Sequence, residues 1–182
     1  MSVMRYAAFL RNVNLGRPNS PTRAQFEAAF LESGAATAAS FLVNGTLVFT
    51  PAPGQRARAV AARACDAMRV RCGMREPVFV RSVAELQALV ASDPFAGVVA
   101  EGRDACCLSL LGAPRKVLPA LPFVSARGDL ELLRAEDTHV LSVSRWIGQS
   151  AGSPNAWLER VLGEPATTRN WRTVTRLVEK YC

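Results

Sequence analysis

Residues 40–50 read Ser-Phe-Leu-Val-Asn-Gly-Thr-Leu-Val-Phe-Thr, and this stretch decides the predicted fold of the first half of the chain. Asn44-Gly45 is the strongest hairpin signal, because both residues tolerate the positive φ that a type I′ turn requires. The flanking residues 40–43 and 47–50 are rich in aromatic and β-branched side chains. They therefore predict two antiparallel strands around the turn.

The elements on both sides of this hairpin complete a regular order of strands and helices. Ser20 followed by Pro21 predicts a helix start, because a capping side chain and a proline in the first turn both favour one. The predicted elements are a strand over 5–10, a helix from Ser20 to Gly34, the hairpin, a helix over 54–73 and a strand over 77–81. This order matches the split β-α-β plait, which is the ferredoxin-like arrangement.

The second half of the chain predicts a similar but less regular unit. Ser82 and Glu85 form a capping-box pattern, and Ser153 before Pro154 predicts another helix start. No strand is predicted between the last two helices. The predicted elements are a helix from Ser82 to Asp93, a strand over 105–111, a short helix over 114–120, hairpin strands over 129–135 and 138–144, and helices over 153–162 and 168–181.

These elements predict an α+β fold with antiparallel sheets. Residues 1–81 form the predicted first ferredoxin-like unit, residues 82–104 a connecting helix and loop, and residues 105–182 a second α/β unit with a C-terminal helix. Phe41 and Phe49 lie on strands of the first sheet. Because helices cover one face of a plait, we expect these rings to belong to the core rather than to stack on nucleic-acid bases.

Composition and charge predict a basic protein with a sizeable core. Hydrophobic residues make up 49% of the 182 residues, and the net charge is +7. Residues 1–92 hold 11 arginines against 5 acidic residues, net +6, whereas residues 93–182 carry a net charge of +1. A basic half favours anionic partners, with weak nucleic-acid binding as one form. An arginine bias of this kind also arises from genomic base composition.

Apolar runs and cysteines bear on the location of the protein. No apolar run reaches the roughly 20 residues that span a bilayer. The run over 6–10 ends at Arg11 and is too short for a signal-peptide core, so no membrane partner is predicted. The five cysteines show no C-x-x-C spacing. We interpret them as small, buried, reduced side chains of a cytoplasmic protein, with a redox role as the alternative.

Residues 167–177 read Thr-Thr-Arg-Asn-Trp-Arg-Thr-Val-Thr-Arg-Leu. The helical spacing of Trp171, Val174 and Leu177 predicts a stripe that faces the core, beside a solvated stripe of cations. Arg169 is different, because it lies at the predicted helix start, where the helix dipole disfavours a cation. It therefore needs a negative partner, either a protein carboxylate or an anion bound at the helix amides.

On this segment the chain resembles the family called domain of unknown function 1697 (DUF1697). The residues that fit its C-terminal motif are Thr167, Thr168, Arg169, Asn170, Trp171, Thr173, Val174 and Leu177. The family's opening pattern, Leu-Arg-Gly-Ile-Asn-Val-Gly-Gly, is matched by Arg11, Asn14 and Gly16, and Gly45 fits its hairpin. Asn12 and Arg17 replace glycines of that pattern, which limits the approach of a ligand to the backbone. The resemblance implies two tandem ferredoxin-like units and no reaction, because none is established for the family.

The leading hypothesis is a non-catalytic protein that binds a small phosphorylated or otherwise anionic ligand. Guanidinium groups suit phosphate and carboxylate, because their fork of N–H donors matches paired oxygens. We expect no cofactor and no metal, since His139 is the only histidine and no phosphate-loop or dinucleotide motif is present. The candidate ligand-binding residues are Arg11, Asn14, Thr168, Arg169, Asn170 and Arg172.

Two alternatives remain open. One is an enzyme without histidine chemistry, in which Asp129, Glu131 or Glu136 is the acid/base group. The other is a structural or homo-oligomeric protein whose exposed sheet face is the interface. A cleft lined by arginines favours ligand binding, a carboxylate in a closed pocket favours an enzyme, and a large apolar sheet face favours an oligomer.

Overall fold

A computed structural model of the protein describes residues 4–112 and 118–182. The chain divides into two compact units. The first ends at Ala88 and also includes Tyr181–Cys182, and the second is Leu89–Lys180. Within the described residues the fold is mixed α and β, with five helices and antiparallel sheets. The predicted division at residues 81 and 104 stays a prediction.

The first unit follows the predicted order of strands and helices. Its elements are β1 (Tyr6–Leu10), α1 (Arg23–Glu32), β2 (Ala35–Leu42), β3 (Thr46–Pro51), α2 (Ala57–Cys72) and β4 (Val78–Ser82). The sheet order is β2-β3-β1-β4, and all neighbouring strands are antiparallel. Helix α3 (Val83–Ala91) follows β4 directly. Its predicted capping box is confirmed, because Ser82 Oγ accepts from Glu85 N at 3.1 Å and Ser82 N donates to Glu85 Oε2 at 2.7 Å.

The hairpin between β2 and β3 is confirmed at Asn44-Gly45. Gly45 has φ +68°, and its carbonyl accepts from Leu10 N at 2.8 Å. A Cβ at Gly45 would lie 3.0 Å from the Cβ atoms of both Leu10 and Val13. The turn therefore needs glycine for its backbone conformation and for its close contact with the end of β1.

Helix α1 begins later than predicted. Its N-cap is Thr22 rather than Ser20. Thr22 Oγ1 accepts from Gln25 N at 3.2 Å, and Thr22 N donates to Gln25 Oε1 at 2.8 Å. This reciprocal capping box satisfies two backbone donors at once, and Ser20 with Pro21 lies before it.

One face of the first sheet forms the core of the unit. Ala8 and Leu10 of β1 and Leu47 and Phe49 of β3 pack there with residues from α1 and α2. The rings of Phe49 and Phe30 have centroids 4.9 Å apart. The expected core position is confirmed for Phe49. Phe41 is buried as well, but it lies outside this cluster and packs edge-to-face on Tyr181, with ring centroids 6.1 Å apart.

The second unit contains a five-stranded sheet. Its elements are β5 (Ala105–Leu111), β6 (Phe123–Val124), β7 (Leu130–Ala135), β8 (His139–Ser144), β9 (Trp146–Ile147), β10 (Ser150–Ala151), α4 (Pro154–Leu162), β11 (Ala166–Asn170) and α5 (Trp171–Tyr181). The sheet order is β11-β5-β8-β7-β6, and β9 and β10 form a separate two-stranded sheet. The predicted β7–β8 hairpin and the cap at Ser153 are confirmed. Leu130, Leu132 and Val140 pack against Leu158 and Leu162 of α4.

The helix predicted over residues 114–120 lies mostly outside the described residues, and residues 118–120 are not helical. The prediction for residues 168–170 is wrong, because they belong to β11 rather than to the last helix. β11 pairs with β5, and Thr168 lies opposite Ser109. Helix α5 begins at Trp171, where Asn170 Oδ1 accepts from Arg172 N at 2.9 Å. This bond is the type that ends a strand and caps a helix.

The predicted apolar stripe of α5 is largely confirmed. Val174, Leu177 and Val178 are buried. Trp171 is half-buried and contacts the ring of Phe95, with centroids 5.1 Å apart. No helix in the part of the chain that the structure describes is both long and apolar enough to cross a membrane.

Phe49→Ala tests the core of the first unit. Phe49 is fully buried against Phe30 and Tyr6, so the substitution should lower the free energy of unfolding by about 3–5 kcal/mol. Val70 on α2 is 88% exposed, and Val70→Ala should change it by no more than about 0.5 kcal/mol. Urea unfolding of both variants measures the difference, and equal stabilities would contradict the packing described above.

Candidate functional site

Two of the predicted ligand-binding residues, Arg11 and Asn14, lie in the first unit after β1. Arg11 Nη1 forms an ion pair with Glu76 Oε2 at 2.6 Å. Asn14 is exposed, and its carbonyl accepts from Arg17 N at 3.2 Å within the loop. The charge of Arg11 is therefore already balanced by a protein carboxylate.

The other four predicted residues lie in the second unit, on β11 and at the start of α5. Thr168 Oγ1 lies 2.7 Å from Ser109 Oγ, while Asn170 caps α5 and Arg172 is exposed. Successive residues of a strand point to opposite faces. Thr168 and Arg169 therefore do not present their side chains to the same surface.

Arg169 is buried within the second unit, not placed at a helix start. Its side chain is 7% exposed, and Nη1 donates to Thr167 Oγ1 at 2.9 Å and to the Thr168 carbonyl at 3.0 Å. Burial lowers the pKa of Arg169 to about 10, so the guanidinium remains charged at neutral pH. The prediction that Arg169 opens the last helix is wrong, because Arg169 is a residue of β11 and α5 begins at Trp171. The helix-dipole argument for an anion, which placed Arg169 in the first turn of that helix, therefore loses its premise.

The three candidate acid/base residues each have a cationic partner. Asp129 lies just before β7 rather than in it, 3.5 Å from Arg127 Nη1. Glu131 in β7 bonds Arg145 Nη2 at 2.6 Å. Glu136 follows the strand and bonds Arg134 Nε at 2.9 Å. These carboxylates form separate ion pairs and not one shared site.

A cleft of about 700 Å³ lies in the second unit, between the segment around β6 and helix α4. This volume is within the range of roughly 300–1,000 Å³ typical of small-molecule sites. One part of the wall is aromatic, because Phe123 and Trp157 contact each other with ring centroids 5.1 Å apart and planes inclined by 39°. The charged part of the wall consists of Arg127, Asp129 and Arg160. The cleft therefore carries two guanidinium groups and one carboxylate.

The turn before β7 holds Asp129 at the cleft. Ser125 Oγ donates to Asp129 Oδ1 at 2.8 Å and accepts from Leu130 N at 3.1 Å. The Ser125 carbonyl accepts from Gly128 N at 2.8 Å, and Gly128 has φ +75°. This arrangement closes the turn with its own hydrogen bonds, and Asp129 stays 17% exposed at its side chain.

A close backbone contact sets the distance between this turn and α4. A Cβ at Gly152 would lie 2.0 Å from the carbonyl oxygen of Asp129. The same carbonyl accepts from Arg145 N at 2.8 Å, and Gly152 N donates to the Arg145 carbonyl at 3.1 Å. Ser144 Oγ donates to the Gly152 carbonyl at 2.6 Å. Ser153, the residue after Gly152, caps α4. The contact at Gly152 therefore places the start of this helix against the turn.

The two arginines of the cleft are held differently. Arg127 Nη2 donates to the Ile147 carbonyl at 3.0 Å and to Ser150 Oγ at 2.7 Å, so the β9–β10 hairpin fixes it. Arg160 is exposed in the last turn of α4. Within residues 4–112 and 118–182, no hydrogen bond or ion pair occupies its guanidinium. Arg160 is therefore a cation of the cleft that a ligand can engage.

The amides at the start of α4 contribute little to the cleft. Pro154 has no N–H, Ala156 N donates to Ser153 Oγ at 3.3 Å, and Trp157 N donates to the Ser153 carbonyl at 3.1 Å. The helix start is thus largely satisfied by its own cap. Positive charge in the cleft comes from side chains.

The candidate residues on α4 were not predicted from the sequence. Trp157 and Arg160 are three positions apart in a helix that the sequence does predict, and side chains at this spacing are neighbours. This spacing on a predicted helix was the sequence signal that could have identified Trp157 and Arg160 as a pair. Phe123 and Arg127 carried no comparable signal, because their contribution depends on where the β6 segment folds against α4.

Comparisons with known proteins identify a family and a fold. A family model described as "Protein of unknown function (DUF1697)" matches residues 3–138. No curated protein matches the chain. A solved structure, that of the conserved bacterial protein SP0830 from Streptococcus pneumoniae, is similar with a TM-score of 0.60 and 15% sequence identity, covering 97% of each chain. At this identity the similarity shows the fold alone.

Gly152→Ala tests the contact that positions α4. The added Cβ would overlap the Asp129 carbonyl, and only a backbone shift can relieve the overlap, so the free energy of unfolding should fall by about 3 kcal/mol or more. Gly148→Ala is the control, since Gly148 has φ +62° but no atom within 4 Å of the added Cβ. It should lose only about 1 kcal/mol. Chemical denaturation measures the free energy of unfolding of both variants. A smaller loss for Gly152→Ala than for Gly148→Ala would contradict the close contact between Gly152 and the Asp129 carbonyl.

Proposed function

The chain belongs to the DUF1697 family, whose members are proteins of unknown function, and from the cleft of its second unit we propose that it binds a small anionic ligand without catalysing a reaction. The observation that supports this most strongly is Arg160, a cation of the cleft with no protein partner in the described residues. Arg127 is a second guanidinium at the same wall, already oriented by the β9–β10 hairpin. A guanidinium held in place loses little conformational entropy when it binds an oxyanion.

The charge balance of the cleft favours an anion. Arg127 and Arg160 outnumber Asp129, and Asp129 is already engaged by Ser125 and Arg127. Charge-assisted hydrogen bonds from guanidinium to phosphate or carboxylate are roughly twice as strong as neutral ones. A neutral ligand would leave the guanidinium of Arg160 without a counter-charge in the complex.

The state of the acidic residues favours binding over catalysis. Asp129, Glu131 and Glu136 are each bonded to an arginine. Each of the three therefore already has a protein cation as its partner, and none shares a site with another acidic residue as a paired general acid and base would. The enzyme alternative therefore has less support than ligand binding.

We also infer that both units are ferredoxin-like plaits. Read from β4, the first sheet has the order β4-β1-β3-β2, and the second contains the equivalent order β11-β5-β8-β7. In the first unit α2 lies between β3 and β4, and in the second unit α4 lies between β8 and β11. A helix therefore precedes the last strand of each sheet. A cytoplasmic location, a weak affinity for nucleic acid and self-association stay predictions.

The predicted set of Arg11, Asn14, Thr168, Arg169, Asn170 and Arg172 stays a second proposed locus. Its weakness is that Arg11 is paired with Glu76 and that Arg169 is buried. Its one exposed cation is Arg172. Substitution of Arg172 therefore distinguishes this locus from the cleft.

Thermal melts with inorganic pyrophosphate test the proposal. A ligand that binds only the folded state raises Tm as its concentration rises. We expect pyrophosphate to raise the Tm of the wild type more than potassium chloride does at equal ionic strength. Arg160→Gln should lose most of this increase, because it removes the unpaired cation and keeps a polar side chain.

Arg176→Gln is the matched control, since Arg176 is an exposed cation on α5 outside the cleft. It should keep the pyrophosphate response. A wild type that responds to pyrophosphate no more than to chloride would remove the proposal. A response lost in Arg172→Gln and kept in Arg160→Gln would move the site to the predicted locus on β11 and α5.

A further inference from the structure

We propose that the ligand of this cleft is a nucleoside monophosphate, with its base against Phe123 and Trp157 and its phosphate at Arg160. This inference rests on the proposed function and specifies the class of ligand. It is motivated by the division of one cleft into an aromatic wall and a charged wall. An inorganic anion would use only the charged wall.

The aromatic wall is a rigid surface. Phe123 and Trp157 are half-buried and pack against the apolar cluster that contains Leu158 and Leu162. Their rings are 5.1 Å apart and tilted by 39°, so each limits the movement of the other. A fixed aromatic surface at the rim of a cleft is suited to stack a flat ring, and any nucleic-acid base offers one.

The charged wall lies close to the aromatic one. Trp157 and Arg160 are three residues apart on α4, and side chains at this spacing have Cβ atoms about 5–6 Å apart. A ligand that engages both must carry a flat ring and an anionic group within one small molecule. A nucleoside monophosphate meets this requirement.

Asp129 adds a requirement for hydrogen-bond donors. Its carboxylate lies at the cleft beside Ser125, 17% exposed. A carboxylate repels a ligand that is anionic throughout, and it accepts hydrogen bonds from hydroxyl groups. The sugar hydroxyls of a nucleotide are donors of this kind, located between the base and the phosphate.

The number of available cations favours one phosphate over several. Arg127 already donates to Ile147 and Ser150 and faces Asp129, so it can contribute only part of its charge and donors to a ligand, and Arg160 is the cation that can pair fully. A triphosphate would bring charges that this wall does not balance, and the chain has no glycine-rich phosphate loop followed by lysine.

Isothermal titration with three probes tests the class of ligand. The probes are adenosine monophosphate, ribose 5-phosphate and inorganic pyrophosphate. We expect adenosine monophosphate to bind roughly tenfold more tightly than ribose 5-phosphate, the size of effect that one base–aromatic stack supplies. Trp157→Leu should remove this advantage and keep the pyrophosphate response, whereas Trp157→Phe should restore most of it.

Trp171→Leu is the control, because Trp171 lies on α5 against Phe95, with ring centroids 5.1 Å apart, and outside the cleft lining. It should bind all three probes as the wild type does. Equal affinities for adenosine monophosphate and ribose 5-phosphate, with the pyrophosphate response intact, would overturn the nucleotide inference and leave the proposed function standing. Loss of every response in the wild type would overturn both.

Two further outcomes would also reject the inference. If Trp157→Leu folds with wild-type circular dichroism and still prefers adenosine monophosphate, the base is not bound at this wall. If a short oligothymidylate binds more tightly than every mononucleotide, the cleft belongs to a surface for single-stranded nucleic acid. Arg160→Gln should weaken the binding of all three probes, since each binds through the Arg160 guanidinium.

Discussion

The approach of Gly152 to the carbonyl of Asp129 positions the elements that form the cleft of the second unit. It joins the end of β8, the turn before β7 and the start of α4, three segments that are separated in the chain. The contact excludes a Cβ and is reinforced by hydrogen bonds from Arg145 and Ser144. Both walls of the cleft depend on it, because one wall follows the turn and the other belongs to α4.

Arginine pairing decides which cations remain available for a ligand. Glu76, Asp104, Glu131 and Glu136 each bond an arginine, and Arg145 bridges Asp104 and Glu131. Such pairs near the surface contribute little stability individually. Their effect on function is larger, because they neutralise guanidinium groups that the composition alone would count as binding sites. The net positive charge of the sequence is therefore a poor guide to how many of its arginines can bind an anion.

Arg169 shows how a charged side chain can be buried within a strand. Burial of its guanidinium carries a desolvation cost, which appears as the lowered pKa. Hydrogen bonds to the Thr167 hydroxyl and the Thr168 carbonyl offset part of that cost. These two acceptors come from β11 itself, so Thr167, Thr168 and Arg169 interact within one strand.

The sequence by itself determined the features that depend on neighbouring residues. The Asn44-Gly45 hairpin, the capping box of Ser82 with Glu85 and the cap at Ser153 were all predicted correctly. Each is a contact within a few positions of the chain, between groups whose hydrogen bonds and backbone preferences are known in advance. The family was also identified, and the matching region, residues 3–138, contains the N-terminal part of the resemblance but not residues 167–177.

Only the tertiary structure decided β11 and the cleft. Residues 166–170 form a strand because β5 offers hydrogen-bond partners some 60 positions away, for example Ser109 opposite Thr168. Phe123 and Arg127 meet Trp157 and Arg160 only after the turn before β7 is fixed against α4. Pairing and packing across such distances depend on the position of whole elements, and local residue preferences do not encode that position.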